Sequence, residues 1–330
     1  MTALHRERLR LYFRLIAASA AIGVLYNLVF LPWPPLPSNL MIGITDGVLI
    51  AAGIGLCEIY VFTLRRFSQL PFIVVVALKT LLYSAIVLGA LTRGGTKLTS
   101  DLAVVFSLLV CLMVVAMMQV AQLLGFRTAI ALFLGRYRQP RPERRFFLFV
   151  DVAGSTGIAE RLGPLEAHRF LAAVFAAAAE PVAACRGEIA QYVGDEVVVT
   201  WTEAAGAVEA RPLRCFFEIE NALEKQKAFF EKAFSSEPRL RAALHFGEVI
   251  AGEVGVWPRS IVFHGDVMNT ASRLENATRE LGARFIASDA ALQALGGPAR
   301  AAAACRDLGE LPLRGRKEAI RAWEIERAAA

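Results

Sequence analysis

Phe146-Phe147-Leu148-Phe149-Val150-Asp151-Val152-Ala153-Gly154-Ser155-Thr156-Gly157 sets the reading of this 330-residue chain. Five apolar residues in a row, closed by a carboxylate, describe a short strand buried on both faces. The Gly-Ser-Thr run that follows is turn chemistry opening a helix. Downstream the same alternation continues. Pro164 to Glu180 reads as an Ala-rich helix marked by Phe170, Val174 and Phe175. Glu188–Val193 and Glu196–Trp201 meet at Gly194-Asp195, the pattern of a hairpin with a tight turn. Leu213 to Phe234 reads as one long amphipathic helix, and Arg239 to Val254 as strands broken by Gly247 and Gly252. Asp266 to Leu281 reads as a further helix, with closing strands near 284–287 and 320–325. Strand, helix, two strands, helix, strand predicts an α+β domain with a ferredoxin-like βαββαβ core and additions over 145–330.

Upstream the composition changes. The chain is 56% hydrophobic, with a mean hydropathy of +0.48. That excess sits in four runs: Leu11–Leu31, Asn39–Leu64, Pro71–Leu91 and Leu102–Leu124. Each reaches about 20 residues, the length that crosses a bilayer core. Residues 1–125 are therefore expected to be an N-terminal four-helix transmembrane bundle in a lipid bilayer. The first run lacks a small-residue cleavage site and reads as a span, not a signal peptide. The first loop carries no charge, Arg65-Arg66 follows the second span, and a basic segment from Arg136 to Arg145 follows the fourth. Positive-inside asymmetry then predicts a multi-pass inner-membrane protein with both termini cytoplasmic. The net charge of +6 is used up in these flanking clusters, so a nucleic-acid partner is not expected. Residues 126–144 read as a juxtamembrane linker helix that breaks at the prolines 140 and 142.

Asp46, Glu58 and Lys79 lie within the spans. Charges in lipid are costly and are usually paired. Counted from the inner ends of their spans, Glu58 and Lys79 differ in depth by roughly 3 Å, so they are expected to pair. The four histidines, His5, His168, His245 and His264, all lie outside the spans, which excludes a bis-histidine haem there. A lipid, a quinone or voltage remain open as stimuli for an unknown ligand site in the bundle. The five cysteines are scattered and include no CxxC pair, so neither a disulfide framework nor a zinc site is expected.

Two carboxylates carry the chemistry. Asp151 ends a strand and Asp195 tops a hairpin, so both are expected at one edge of the sheet. Such a pair suits hard divalent cations, two Mg²⁺ or Mn²⁺ ions, with phosphate oxygens completing the shell. Backbone N–H groups at Gly154, Ser155 and Thr156 suit a triphosphate. Asn269 and Arg273, four residues apart on one helix, suit a polarised, negatively charged transition state.

The four stretches FLFVDVAGSTGIAERLG, QYVGDEVVVTW, RAALHFGEVIAGEVG and FHGDVMNTASRLE, in this order and spacing, resemble the class III adenylate/guanylate cyclase catalytic domain. The resemblance covers nearly all of 145–330 and is nearest to bacterial membrane-bound adenylate cyclases. It implies conversion of ATP to cyclic AMP and pyrophosphate by a homodimer with shared sites. Asp151 and Asp195 match the metal-binding aspartates, and Val152 the residue whose carbonyl meets one metal. Asn269 matches the ribose-positioning asparagine, and Arg273 the arginine at the α-phosphoryl group. The stretch Arg314–Lys317 lies where the family often has a basic residue on the outer phosphates, with Arg314, Arg316 and Lys317 all open for that role and Arg316 taken to represent it. The two base-selecting positions carry Gln191 and Val262, neither of which is the usual marker. A glutamine amide faces adenine or guanine equally. The alternatives are a guanylate cyclase and, in another class, a catalytically silent nucleotide-binding receptor.

Overall fold

A computed structural model describes residues 21, 37–58, 70–93, 101–124, 131–132, 134–256, 260–297, 304–316 and 318–327. The chain divides into two compact units, one ending at Gly135 and one beginning at Arg136.

In the first unit, α1 (Pro37–Leu56), α2 (Phe72–Arg93) and α3 (Asp101–Leu124) are built from near-continuous apolar sequence. Val76 and Tyr83 of α2 and Val115 of α3 are buried together, with Ile54 and Ile86 against them. Gly53 lets α1 approach closely, since a Cβ there would lie 3.0 Å from Ile86 Cγ2. Outward faces stay apolar: Met41, Ile73, Leu81, Met113 and Met117 are all exposed. Among the described residues one stretch, Phe72–Gly89, is long and apolar enough to cross a membrane, while Ile44–Leu56 and Cys111–Val120 are shorter apolar segments. Of the four expected spans, three coincide in part with helices among the described residues, and of these α2 alone is long and apolar enough to cross a membrane. The first span, 11–31, lies outside the described residues apart from Ala21, as does the end of the second. Glu58 and Lys79 do pair: Lys79 Nζ lies 2.6 Å from Glu58 Oε1. The Tyr83 hydroxyl donates to the same oxygen.

The second unit is one sheet. Its strands and helices run β1 (Arg141–Val152), α4 (Ser155–Leu162), α5 (Pro164–Ala184), β2 (Glu188–Val193) and β3 (Glu196–Thr202). There follow α6 (Glu203–Ala207), α7 (Arg211–Lys225), α8 (Lys227–Phe234), β4 (Leu240–Val254), β5 (Ser260–His264) and α9 (Asp266–Leu281). β6 (Phe285–Ser288), α10 (Asp289–Ala294), β7 (Ala304–Leu311) and β8 (Ile320–Glu326) complete it. The strand order is β2-β3-β1-β4-β6-β8-β7, with β5 paired to β4. The pairs β2–β3, β3–β1 and β1–β4 are antiparallel, which is the expected ferredoxin-like core. β6 joins parallel to β4 after the α9 crossover.

β1 is central, so both of its faces are covered. Phe146, Leu148 and Val150 enter one core with Phe170 of α5, Phe216 and Ile219 of α7 and Phe230 of α8. Phe147 and Phe149 enter the other with Val267 and Ala271 of α9. Two buried faces explain an unbroken apolar run where a half-exposed strand would alternate.

Several boundaries differ from the sequence reading. β1 begins at Arg141, inside the stretch read as a linker helix over 126–144, because residues 141–145 continue the ladder to 247–251 of β4. Among the described residues of that stretch only 131–132 are helical. Arg145, read as part of a membrane-flanking cluster, is instead 1% exposed. Gly247 and Gly252 do not break β4. They admit neighbours, since a Cβ at Gly247 would lie 2.5 Å from Val267 Cγ2, and one at Gly252 3.2 Å from Pro140 Cβ. The helix expected over 213–234 is two, parting at Gln226 with φ −103° and ψ 8°. β7 was not anticipated.

Candidate active site

Asp151, 1% exposed, lies one residue before the end of β1, opposite Glu196 of β3 and Arg241 of β4. The turn carrying Asp195 is tied to it by backbone, with Val152 N donating to Asp195 O at 3.3 Å. Gly154 adopts φ +73°, a left-handed conformation that suits glycine, and caps α4. The chain thereby turns so that Ser155 Oγ donates to Asp195 Oδ2. Gly154 and Thr156 are exposed beside it. The end of β1 carrying Asp151 and the turn carrying Asp195 thus lie side by side, next to the Gly-Ser-Thr turn.

The electrostatics are those of an acid-rich centre. Burial and then the charge of Asp195 push the Asp151 carboxyl up, against the pull of Arg279. Burial would raise Asp195 too, but hydrogen bonds from Ser155, its own backbone N–H and Asp151 bring it below the usual range. Glu196 is pushed up to about 7 by burial and by the charges of Glu275, Asp151 and Asp195. Two cations answer this excess. Arg241 Nη2 lies 3.2 Å and Arg279 Nη2 3.0 Å from Asp151 Oδ2. Sequence reasoning missed both. Arg241 had a signal, as a lone charge heading an apolar strand, whereas Arg279 sits on a helix face rich in charge.

The donor set fits a hard divalent cation: anionic oxygens held together and under-neutralised by protein. Among the described residues no three His, Cys, Asp or Glu side chains gather to hold a metal. Two carboxylates alone leave most of a Mg²⁺ shell to other oxygens, which is the arrangement expected when substrate phosphates supply them.

The other expected residues lie elsewhere. Asn269 is exposed and Arg273 half-buried on α9. Arg273 lines an open groove with Asn276, Pro312 and Arg314, and its Nη2 would be 3.3 Å from a Cβ at Gly315. Among the described residues no hydrogen bond or ion pair joins Asn269 or Arg273 to Asp151 or Asp195. Arg316 donates to Asp266 Oδ2 and Thr270 Oγ1 at the start of α9, so Arg314, not Arg316, shares the groove with Arg273. Lys317 lies outside the described residues. Gln191 is exposed on β2, just past a bulge, and Val262 is half-buried on β5 opposite Gly252.

Residues 140–326 match the family described as adenylate and guanylate cyclase catalytic domain. Adenylate cyclase 2 of Rhizobium meliloti (strain 1021) is 38% identical over 229 residues, covering 69% of this chain and 62% of that protein. An adenylate cyclase of Anabaena cylindrica is 27% identical over 190 residues, covering 56% of this chain and 37% of that one. The chain thus spans less than two thirds of the length of either relative. Among solved structures, a bacterial light-regulated adenylyl cyclase aligns with a TM-score of 0.58 over 71% of this chain and 68% of its own, at 16% identity. That likeness speaks for the fold.

Proposed function

The chain belongs to the adenylate and guanylate cyclase catalytic domain family, and from that premise we propose that it converts ATP to 3′,5′-cyclic AMP and pyrophosphate. One observation carries the reading beyond the family. Asp151 and the Asp195 turn meet beside Gly154–Thr156, while Arg273 of the same chain lines a different groove and Asn269 is exposed one helical turn before it. Each chain then offers two half-sites, and a two-fold homodimer would close two complete ones.

Asp151 and Asp195, with the Val152 carbonyl, would hold two Mg²⁺ or Mn²⁺ ions. When bound, these supply charge neutralisation on the triphosphate and acidity at the ribose 3′-hydroxyl. The turn at Gly154, Ser155 and Thr156 offers backbone N–H groups to phosphate oxygens. Asn269 of the second chain holds the ribose. Its Arg273 faces the α-phosphoryl group, where charge builds as the 3′-oxygen bonds to phosphorus, the hydroxyl proton departs and the bond to the bridging oxygen breaks. Pyrophosphate leaves toward basic side chains, among which Arg314 is placed in the groove of Arg273.

The exposed apolar faces of α1, α2 and α3 support seating these helices in a bilayer, as part of a four-span bundle with both termini cytoplasmic. The preference for adenine follows the two named relatives, while Gln191 by itself suits guanine as well.

The test is product formation by full-length protein offered ATP and GTP in parallel with Mg²⁺ or Mn²⁺. Mixing inactive Asp151→Ala and Arg273→Ala chains should restore one site per heterodimer. Absence of rescue, with both variants folded and dimeric, refutes the shared site. Cyclic GMP as the main product replaces the substrate and keeps the chemistry.

A further inference from the structure

Arg279 is six residues past Arg273 on α9, which turns it to a different side of the helix. There it meets the acid centre of its own chain. Its Nη2 lies 3.0 Å from Asp151 Oδ2, and its Nε lies 3.6 Å from Glu275 Oε1 one turn earlier. The Asp151 carboxylate is 2% exposed, whereas the Arg279 side chain is 49% exposed. Arg279 also lines an open cleft of about 750 Å³ together with Ala153, Arg239, Arg241 and Arg284.

We propose that Arg279 is a built-in counter-cation that competes with the divalent metal for Asp151 and so sets the metal affinity of the resting enzyme. The inference rests on the reading of Asp151 and Asp195 as metal ligands. Glu196 stands opposite Asp151 in the ladder, the Asp195 turn is tied to the end of β1, and Glu275 of α9 shares Arg279 with Asp151, so several acidic groups lie close together, which is costly without cations. Of the two arginines that answer it, Arg241 cannot readily yield. It stands in β4 directly opposite Asp151 in the ladder and is 23% exposed. Arg279 hangs from a helix by a long flexible stem with solvent on one side. When a cation takes Asp151 Oδ2, the guanidinium can swing into the cleft without disturbing the strand ladder. Arg279 is thus a positioning residue: it holds the Asp151 carboxyl in the absence of metal and gives way when metal arrives.

The alternative is a purely structural pin fastening the end of α9 to β1. A Mn²⁺ titration of full-length, detergent-solubilised protein without nucleotide separates the two, with free Mn²⁺ read by electron paramagnetic resonance. Competition predicts that Arg279→Ala binds Mn²⁺ about fivefold more tightly, the size a half-exposed ion pair carries. Arg279→Lys, which keeps the charge, should stay near the parent. Unchanged or weaker Mn²⁺ binding by Arg279→Ala overturns the proposal in favour of the pin. A parent protein that binds no more Mn²⁺ than Asp195→Ala removes the metal-ligand reading itself, and the counter-cation with it.

Discussion

Arg145 places Nη2 2.7 Å from Glu188 Oε2, so a side chain only 1% exposed within β1 is ion-paired to the start of β2. Its Nη1 lies 2.8 Å from Glu143 Oε2, its Nε donates to Thr200 Oγ1 at 3.1 Å, and its guanidinium stacks 4.8 Å over the Phe263 ring. Every edge of the fork is used, which is how a buried guanidinium is tolerated.

Breaking such a group from one side leaves the rest charged and without a partner. Arg145→Met should therefore destabilise the catalytic unit by about 3–5 kcal/mol, read as a fall in the denaturant midpoint at constant m. Glu188→Gln should cost much less, because the amide oxygen can still accept from Arg145, Glu143 still pairs with it, and the 34% exposure of this position lets water reach the contact. Equal losses in the two variants would contradict this account.

In the first unit Lys79 and Glu58 are 4% and 10% exposed. A lone charge there has no water to turn to, so Lys79→Ala and Glu58→Ala should each lower the melting temperature in detergent. The swapped pair Glu58→Lys with Lys79→Glu should recover part of the loss, a coupling of about 0.5–3 kcal/mol. Tyr83, which donates to Glu58, would keep recovery incomplete. A swapped pair no better than the worse single change would show that the two charges act independently.

Legibility in the sequence followed the physics of each element. The hairpin strands, with Glu188–Val193 as expected, and the helix Asp266–Leu281 could be read because turn glycines and helical periodicity are local signals. Asp151 and Asp195 were expected at one edge of the sheet because strand ends fix where a carboxylate goes, and there Val152 N donates to Asp195 O. Arg145 was misread because a basic residue near an apolar span looks like a topology marker, and its partner Glu188 is 43 residues away. Arg241 and Arg279 were missed for the same reason: their contact with Asp151 depends on register and helix phase across 90 and 128 residues. Gly247 was read as a break because sequence shows its missing side chain but not Val267, which needs the space.

In the proposed reaction Arg273 offers a sharper kinetic test than Asn269, because charge would develop at the α-phosphoryl group only in the transition state. Arg273→Ala should lower kcat by about 10²–10³ with little change in KM. Arg273 is only half-buried on α9, and an unchanged melting curve for Arg273→Ala separates this loss from a folding defect. A loss confined to KM would assign Arg273 to ground-state binding.

His245 gives the pH dependence. It is 8% exposed in β4, and its Nδ1 sits 2.7 Å from the Ser288 hydroxyl, which also caps α10 by accepting from Ala291 N. Burial and then the nearby Arg316 charge lower its pKa from 6.5 to about 4, with Asp266 opposing. The folded chain therefore keeps this imidazole neutral where the unfolded chain takes a proton. Stability from His245 is fully present above pH 6.5 and is lost as pH falls toward 4. The shift corresponds to about 3 kcal/mol, reached only near and below the lower value. His245→Gln retains a hydrogen bond to Ser288 and removes the titration. The melting temperature of the parent minus that of the variant should therefore shrink steadily between pH 6.5 and 4. A difference that stays flat across that window would mean that His245 is protonated in the folded protein or that its pocket opens before it titrates.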